Sequence, residues 1–309
     1  MASSHGPAGH GHSHGHGSAL ARSGEAAKRP LAIALAITAV TLVVQVWVGI
    51  AYGSLSLLTD GAHLLTDVGG IVLALAAVTL ASRSTRDDRT FGLYRLEVLS
   101  ALANGALLIA VAAWAIVEAV ERIQDPPEVP GAPVLVVGAV GLVANLVSLR
   151  LLSGGSSLAA EGARMEVLAD AVGSVGVVVG GGLILLTDAP VIDAWIGLAI
   201  GVWIVPRAVR LARDALKVLL QSAPDHLDLD AVQSDLDAVD DVVDVHDLHV
   251  WTLTTDMDVL TAHLMVRDGA DQHAVLDSAR QLLAERHGIH HATLQVEPET
   301  HLGCDQVDW

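Results

Sequence analysis

The sequence predicts a membrane protein with six transmembrane helices (a membrane all-α fold), followed by a small cytoplasmic α+β domain of order αββαβ. Of the 309 residues, 52% are hydrophobic and only 17% are charged, a composition too apolar for an ordinary soluble domain. Six apolar segments each approach the ~20 residues that cross a bilayer. After about residue 218 the chain becomes polar and acidic, which favours a soluble domain.

The first 28 residues consist mostly of Gly, Ser, Ala and His and predict a disordered cytoplasmic arm. The stretch HGHSHGHG contains His10, His12, His14 and His16. Three interpretations apply: imidazoles that collect metal near a transport entrance, a purification tag, or a solvated tail without function. We favour the first, because tags are normally uninterrupted His runs.

The transmembrane domain is predicted over residues 29–217. A spanning segment has to satisfy its own backbone polar groups, so each apolar segment is predicted to be a helix. The segments are residues 31–51, 55–81, 98–120, 134–152, 167–186 and 191–211.

Basic residues are distributed unevenly among the predicted connections. Arg and Lys precede the first segment, fill the second connection, flank the fourth and end the sixth segment, whereas the opposite side has only Arg122. The positive-inside rule therefore predicts that both termini are cytoplasmic. The scarcity of Lys among these cations favours a bacterial source with a GC-rich genome, and hence the inner cell membrane.

The cytoplasmic domain is predicted over residues 218–309. Its pattern predicts helices at 230–239 and 273–288, and strands at 242–253, 258–266 and 292–298. The acidic composition argues against a nucleic-acid partner and suits cations. Cys304 is the only cysteine, so the chain has neither an internal disulfide nor a Cys-based zinc knuckle.

Two apolar segments contain pairs of metal-ligating residues. His63 and Asp67 in the second segment, and Glu166 and Asp170 in the fifth, are each spaced i, i+4 and project from one helix face. Two such helices can enclose one four-coordinate cation, as zinc prefers. The alternative is a set of helix-end polar groups or an internal ion pair, although neither segment contains a cation. Asp60 is predicted to act as a helix cap or entry group near the membrane surface.

Several motifs then carry a family resemblance. They are DGAHLLTD at 60–67, RTFGLYRLEVLSALANG at 89–105, EVLADAVGSVGV at 166–177, and the tail motifs HDLHVWTL, AHLMV and ATLQVEP. In this order the chain resembles the cation diffusion facilitator family over about residues 30–300. The resemblance implies a homodimeric exporter of divalent metal, usually zinc, that exchanges it for protons by alternating access. It also implies a metallochaperone-like, ferredoxin-like cytoplasmic domain, no enzymatic activity and no organic cofactor.

Carried over by position, the family's transport site falls on His63, Asp67, Glu166 and Asp170. Zinc-transporting members commonly have His where this chain has Glu166. The additional carboxylate favours manganese, iron(II) or cobalt more than a second His would. Zinc stays the first expectation, because His63 keeps a borderline-soft ligand.

The resemblance also implies a regulatory zinc site formed by His246, His263 and Glu297. The alternative is that the two histidines are ordinary half-buried strand residues. Strand alternation predicts that His246 shares a face with Leu248 and Val250, and that His249 lies on the opposite face.

Four further residues are weaker candidates for metal ligands, and two other protein classes are less consistent with the sequence. Asp87 and Asp88 are more consistent with ion pairs than with metal ligands, and His301 and Cys304 are candidate ligands across a dimer. An intramembrane metalloprotease would need an HExxH helix, which the sequence lacks. A membrane-anchored metal sensor would not need two acidic pairs in mid-membrane.

Overall fold

The structure is a computed structural model that describes residues 25–83, 90–153, 158–254 and 257–300. The described residues divide into two compact units, one ending at Ala215 and the other beginning at Leu216. Some predicted metal ligands lie outside the described residues: His10, His12, His14, His16, Asp87, Asp88, His301 and Cys304.

Long helices build the first unit, and each predicted apolar segment lies within one of them. Five of the described helices are long and apolar enough to cross a membrane. The helix that begins at Leu55 has 29 residues but is not among these five, so its crossing stays a prediction. The helices are α1 (Glu25–Tyr52), α2 (Leu55–Arg83), α3 (Arg95–Gln124), α4 (Gly131–Leu152), α5 (Leu158–Thr187) and α6 (Val191–Leu219).

Glycines allow α4 and α5 to pack at backbone distance. A Cβ atom at Gly181 would lie 2.5 Å from the backbone nitrogen of Leu135, and one at Gly138 would lie 2.8 Å from Cγ1 of Val177. Small residues permit such close approach between membrane helices, where van der Waals packing drives association. The contact holds α5, and therefore Asp170, in a fixed position in the bundle.

A buried carboxylate fixes the start of α2. Asp193 on α6 is 2% exposed and accepts hydrogen bonds from Ser54 Oγ at 2.8 Å, Leu55 N at 2.5 Å and Ser56 Oγ at 2.5 Å. A carboxylate is favourable at a helix N-terminus, because the first backbone N–H groups have no partner within the helix. This contact anchors the helix that carries His63 and Asp67.

The second unit contains the predicted αββαβ domain. Its first two strands are antiparallel, its second and third strands are parallel, and the second strand lies in the middle of the three-stranded sheet. Its core includes Leu236, Leu260 and Leu283, each fully buried. Gly288 ends the second helix of this domain with φ 68°, a conformation that glycine adopts without strain. The elements are α7 (Leu229–Asp237), β1 (Val242–Thr254), β2 (Met257–Val266), α8 (Gln272–His287) and β3 (His291–Pro298).

A β-bulge makes the predicted alternation along β1 wrong. Asp247 has φ 50°, and the register shifts between His246, which pairs with His263, and His249, which pairs with Thr261. The extra residue reverses the faces beyond this point. His246 and His249 therefore share one face, while Val250 belongs to the core on the other. His246 lies before the bulge and faces away from the core, because its neighbour Val245 is a core residue.

Candidate functional site

Helices α2 and α5 bring three metal-ligating side chains together. His63, Asp67 and Asp170 are 7%, 8% and 4% exposed, and one ligand atom from each lies within 4.8 Å of the others. Nε2 of His63 lies 3.6 Å from Oδ2 of Asp67 and 3.5 Å from Oδ1 of Asp170. The i, i+4 spacing in α2 places its two side chains on one face, as predicted.

The chemistry of these atoms fits a bound cation. Nδ1 of His63, Oδ2 of Asp67 and Oδ1 of Asp170 are buried and have no hydrogen-bond partner among the described residues. Buried polar atoms almost always have a partner, so such a group indicates an ion or a water. Ligands of a tetrahedral zinc, with bonds of about 2.0–2.1 Å, lie roughly 3.3 Å apart. The two distances from His63 Nε2 are close to this separation.

Glu166, the fourth predicted ligand, is not in this group of three, and its described partner is an arginine. The Nη2 atom of Arg207, on α6, donates to Oε1 of Glu166 and forms an ion pair with Asp67 Oδ1 at 3.6 Å. Nη1 of Arg207 lies 3.2 Å from His63 Nε2. The absence of a cation from the predicted segments 55–81 and 167–186 therefore does not exclude an ion pair, because α6 supplies the cation.

Sequence reasoning missed Arg207 because it was grouped with the basic residues that flank the membrane. A signal was present: Arg207 lies within the predicted sixth segment, residues 191–211. An ionisable residue inside a spanning segment normally faces the bundle interior and pairs there.

A cavity lies next to the acidic side chains of the candidate transport site and of Glu166. Three of its lining residues are the carboxylates Asp67, Glu166 and Asp170, and the rest come from α1, α2, α4 and α5. A hydrated ion needs such space next to its ligands. The other lining residues are Leu31, Ala34, Leu35, Thr38, Val68, Ile71, Leu152, Ala163 and Val167.

Asp60 does not have its predicted position near a helix end. It is 2% exposed, lies one turn inside α2 and accepts a hydrogen bond from Gln45 Nε2 at 2.7 Å. The predicted helix-cap role is therefore wrong, since Asp193 occupies that position. A similar hydrogen bond joins α4 to α5, where Nδ2 of Asn145 donates to Ser174 Oγ at 3.1 Å.

A second group of ligands lies on the sheet of the cytoplasmic domain. His246, His263 and Glu297 each offer one ligand atom within 4.8 Å of the others. Nδ1 of His263 lies 3.2 Å from Glu297 Oε1, and Nε2 of His246 lies 3.8 Å from Glu297 Oε2. Each residue comes from a different strand, so the sheet register brings together the set that the resemblance implies.

Asp244 orients the first of these histidines. Its Oδ2 lies 3.0 Å from Nδ1 of His246, while Nε2 has no hydrogen-bond partner among the described residues. A carboxylate on one ring nitrogen of a ligating histidine fixes the tautomer that leaves the other nitrogen for metal. Strand alternation is consistent with this contact, because residues two apart in a strand lie on the same face.

Comparisons with known proteins agree with this architecture. Residues 31–220 match the cation efflux transmembrane domain, and residues 224–299 match the cytoplasmic domain of cation efflux proteins. The chain belongs to the cation efflux family. The resemblance found in the sequence is confirmed, and membership makes the protein a multi-pass membrane transporter rather than an enzyme.

Curated relatives match over most of the chain. The metal cation efflux system protein CzcD of Cupriavidus metallidurans is 41% identical over 91% of this chain and 89% of its own. The zinc transporter ZitB of Escherichia coli K12 is 33% identical over 89% and 90%. A cadmium, cobalt and zinc/H(+)-K(+) antiporter of Bacillus subtilis is 30% identical over 89% and 91%.

A solved structure also matches part of the cation efflux protein. It is the metal-bound C-terminal domain of the CzcD transporter from Cupriavidus metallidurans, 35% identical, with a TM-score of 0.23, covering 23% of this chain and 99% of its own.

Proposed function

We propose that this cation efflux protein exports divalent metal, zinc first, from the cytoplasm in exchange for protons. The observation that carries the proposal is the buried group of His63, Asp67 and Asp170, in which the carboxylate atoms Oδ2 of Asp67 and Oδ1 of Asp170 have no hydrogen-bond partner among the described residues. Buried carboxylates in a membrane helix are costly unless a cation or proton compensates them. The names of the relatives, which include zinc transport, support the same cargo.

The proposal includes an orientation and an assembly. The chain is a homodimer in the inner membrane with both termini in the cytoplasm. The unequal distribution of basic residues supports this orientation. The site then accepts metal from the cytoplasm and, after a rearrangement of the helices, releases it on the other side.

Proton exchange follows from the ligand chemistry. Metal binds the deprotonated carboxylates and the neutral imidazole, so protons and metal exclude each other at His63, Asp67 and Asp170. Protons that arrive from the outer side displace the metal, and the protonated site returns. Mutual exclusion of the two occupants is sufficient to couple their movements.

Zinc is proposed ahead of manganese, iron(II) and cobalt. One imidazole and two carboxylates at near-tetrahedral separations suit zinc, whereas manganese prefers more oxygen ligands. In proteoliposomes, we expect an excess of cobalt to reduce zinc flux and an equal excess of manganese to have little effect. Protein-free liposomes give the background. Inhibition by manganese that exceeds inhibition by cobalt would reject zinc as the main cargo.

A regulatory zinc is proposed at His246, His263 and Glu297. We expect His246→Ala to remove one bound zinc per chain in equilibrium binding to the full-length protein. His273→Ala is the matched control, since His273 belongs to the same domain and its side chain is 83% exposed. An unchanged zinc stoichiometry for His246→Ala would contradict a metal site on the sheet.

A further inference from the structure

We infer that Arg207 is a tethered cation that competes with the transported metal for His63 and Asp67, and that Glu166 is its anchor rather than a metal ligand. The inference rests on the proposed transport site and assigns two residues of it to another task. It starts from the contacts of one guanidinium group with three side chains.

The competition follows from one nitrogen atom. Nε2 of His63 lies 3.2 Å from Nη1 of Arg207, and it is also the atom nearest to the carboxylates of Asp67 and Asp170. An imidazole nitrogen that accepts a hydrogen bond or binds a metal uses its single lone pair. Nε2 can therefore bind the guanidinium or the metal at one time, but not both.

Charge adds to this exclusion. The guanidinium is always protonated, and its Nη2 lies 3.6 Å from Oδ1 of Asp67, a proposed metal ligand. The side chain of Arg207 is 23% exposed and that of Asp67 is 8% exposed. Water therefore only weakly screens the repulsion between the guanidinium and a divalent ion bound at Asp67. A divalent ion at the site and Arg207 in its present position repel each other.

Glu166 binds the guanidinium of Arg207 when metal displaces it from His63 and Asp67. Its Oε1 accepts from Arg207 Nη2, and its side chain is 12% exposed. Pairing Glu166 with Arg207 leaves Asp67 and Asp170 for the metal, and their two negative charges equal the charge of a divalent ion.

The position of Arg207 in α6 allows its guanidinium to move away from His63 and Asp67 and to return. It directly follows Pro206, which lies inside the helix. Proline cannot donate the backbone hydrogen bond to the residue four positions earlier, and this weakens the helix locally. When metal leaves, the guanidinium returns to His63 and Asp67 and replaces part of the lost positive charge. Arg207 thereby speeds metal release and keeps affinity moderate.

The test measures KM and Vmax for zinc flux with full-length protein in proteoliposomes. We expect Arg207→Gln to lower KM about tenfold, since a close buried charge contact is worth at least about that factor, and to lower Vmax because release is slower. Arg210→Gln is the matched control: it removes the same charge from an exposed position on α6 and should leave both constants unchanged. An unchanged or raised KM for Arg207→Gln overturns the inference.

A double-mutant cycle separates the anchor from a ligand. Glu166→Gln alone is expected to raise KM in either case, because it frees the guanidinium to hold His63 and Asp67, or because it removes a ligand. If Glu166 is only an anchor, it has no function once the guanidinium is absent. The KM of the double variant Glu166→Gln/Arg207→Gln should then equal that of Arg207→Gln alone. A double variant that keeps the raised KM identifies Glu166 as a ligand and overturns the inference.

Two further arms keep the outcome clear. If Arg207→Gln does not fold, Arg207→Lys carries the comparison: its ammonium lacks the two-pronged geometry of the guanidinium, so KM should fall below the wild-type value, and an equal or higher value overturns the inference. Asp170→Asn is measured in the same assay. Retained flux in that variant rejects the transport site itself, whatever the arginine variants do.

Discussion

Asp170→Asn is expected to abolish metal flux through the protein in proteoliposomes. The substitution keeps the size of the side chain, which is 4% exposed, and replaces a carboxylate oxygen that lies 3.5 Å from His63 Nε2. Residues that only orient metal ligands typically cost 10–100-fold when changed, so loss of a ligand should reduce flux by more than about 100-fold. Initial rates of zinc uptake, measured with a trapped fluorescent chelator, give the result.

The control for this loss is Asp188→Asn. Asp188 follows the same helix, α5, is exposed and has φ 52°, a conformation that Asn also tolerates. It should keep the wild-type rate. Both proteins are first compared by gel filtration and thermal unfolding, so that a loss of flux is not a loss of fold. A folded Asp170→Asn protein with at least half of the wild-type flux would contradict the proposed transport site.

Much of the architecture could be predicted because membrane and sheet patterns are local. Each apolar segment, such as residues 134–152, lies within one helix, and the αββαβ order agrees with the observed elements within a few residues. Backbone groups in lipid have to be satisfied within the segment itself, so an apolar run of this length has few alternatives to a helix. The second crossing stays a prediction, since α2 contains the ionisable residues of the site.

The candidate sites could be predicted in part, and the missing part is long-range. The spacing of His63 and Asp67 predicts a shared helix face, but no local pattern shows that α6 brings Arg207 to them. Likewise, the β-bulge at Asp247 reverses the face that strict alternation predicts for Val250. Contacts between elements distant in sequence depend on packing, which periodicity does not encode.

The contact with Arg207 bears on the departure at Glu166, where zinc-transporting members commonly have His. A carboxylate in this position gives the site three negative charges if all four predicted ligands act alone. The contact between Glu166 and Arg207 removes one negative charge from that sum. Under the proposed anchoring role of Glu166, the identity of the metal depends on His63, Asp67 and Asp170.

An inwardly acidic pH gradient is expected to drive zinc into proteoliposomes against its own concentration gradient. Metal binding requires deprotonated Asp67 and Asp170 and a neutral His63, so acid on the release side protonates the ligands and displaces the metal there. Each site that returns protonated carries protons outward, which links the two gradients. Internal zinc should therefore rise above external zinc, and collapse of the pH gradient with a protonophore should return it to equilibrium.

The driving ion is tested by changing one gradient at a time. One relative is an antiporter that exchanges metal for both protons and potassium, so the liposomes contain potassium in one arm and choline in the other, at the same pH gradient. Accumulation should be equal in both arms, because the carboxylates and imidazole of His63, Asp67 and Asp170 bind protons far more strongly than they bind potassium. Accumulation that survives the protonophore, or that requires internal potassium, would exclude simple exchange of metal for protons at this site.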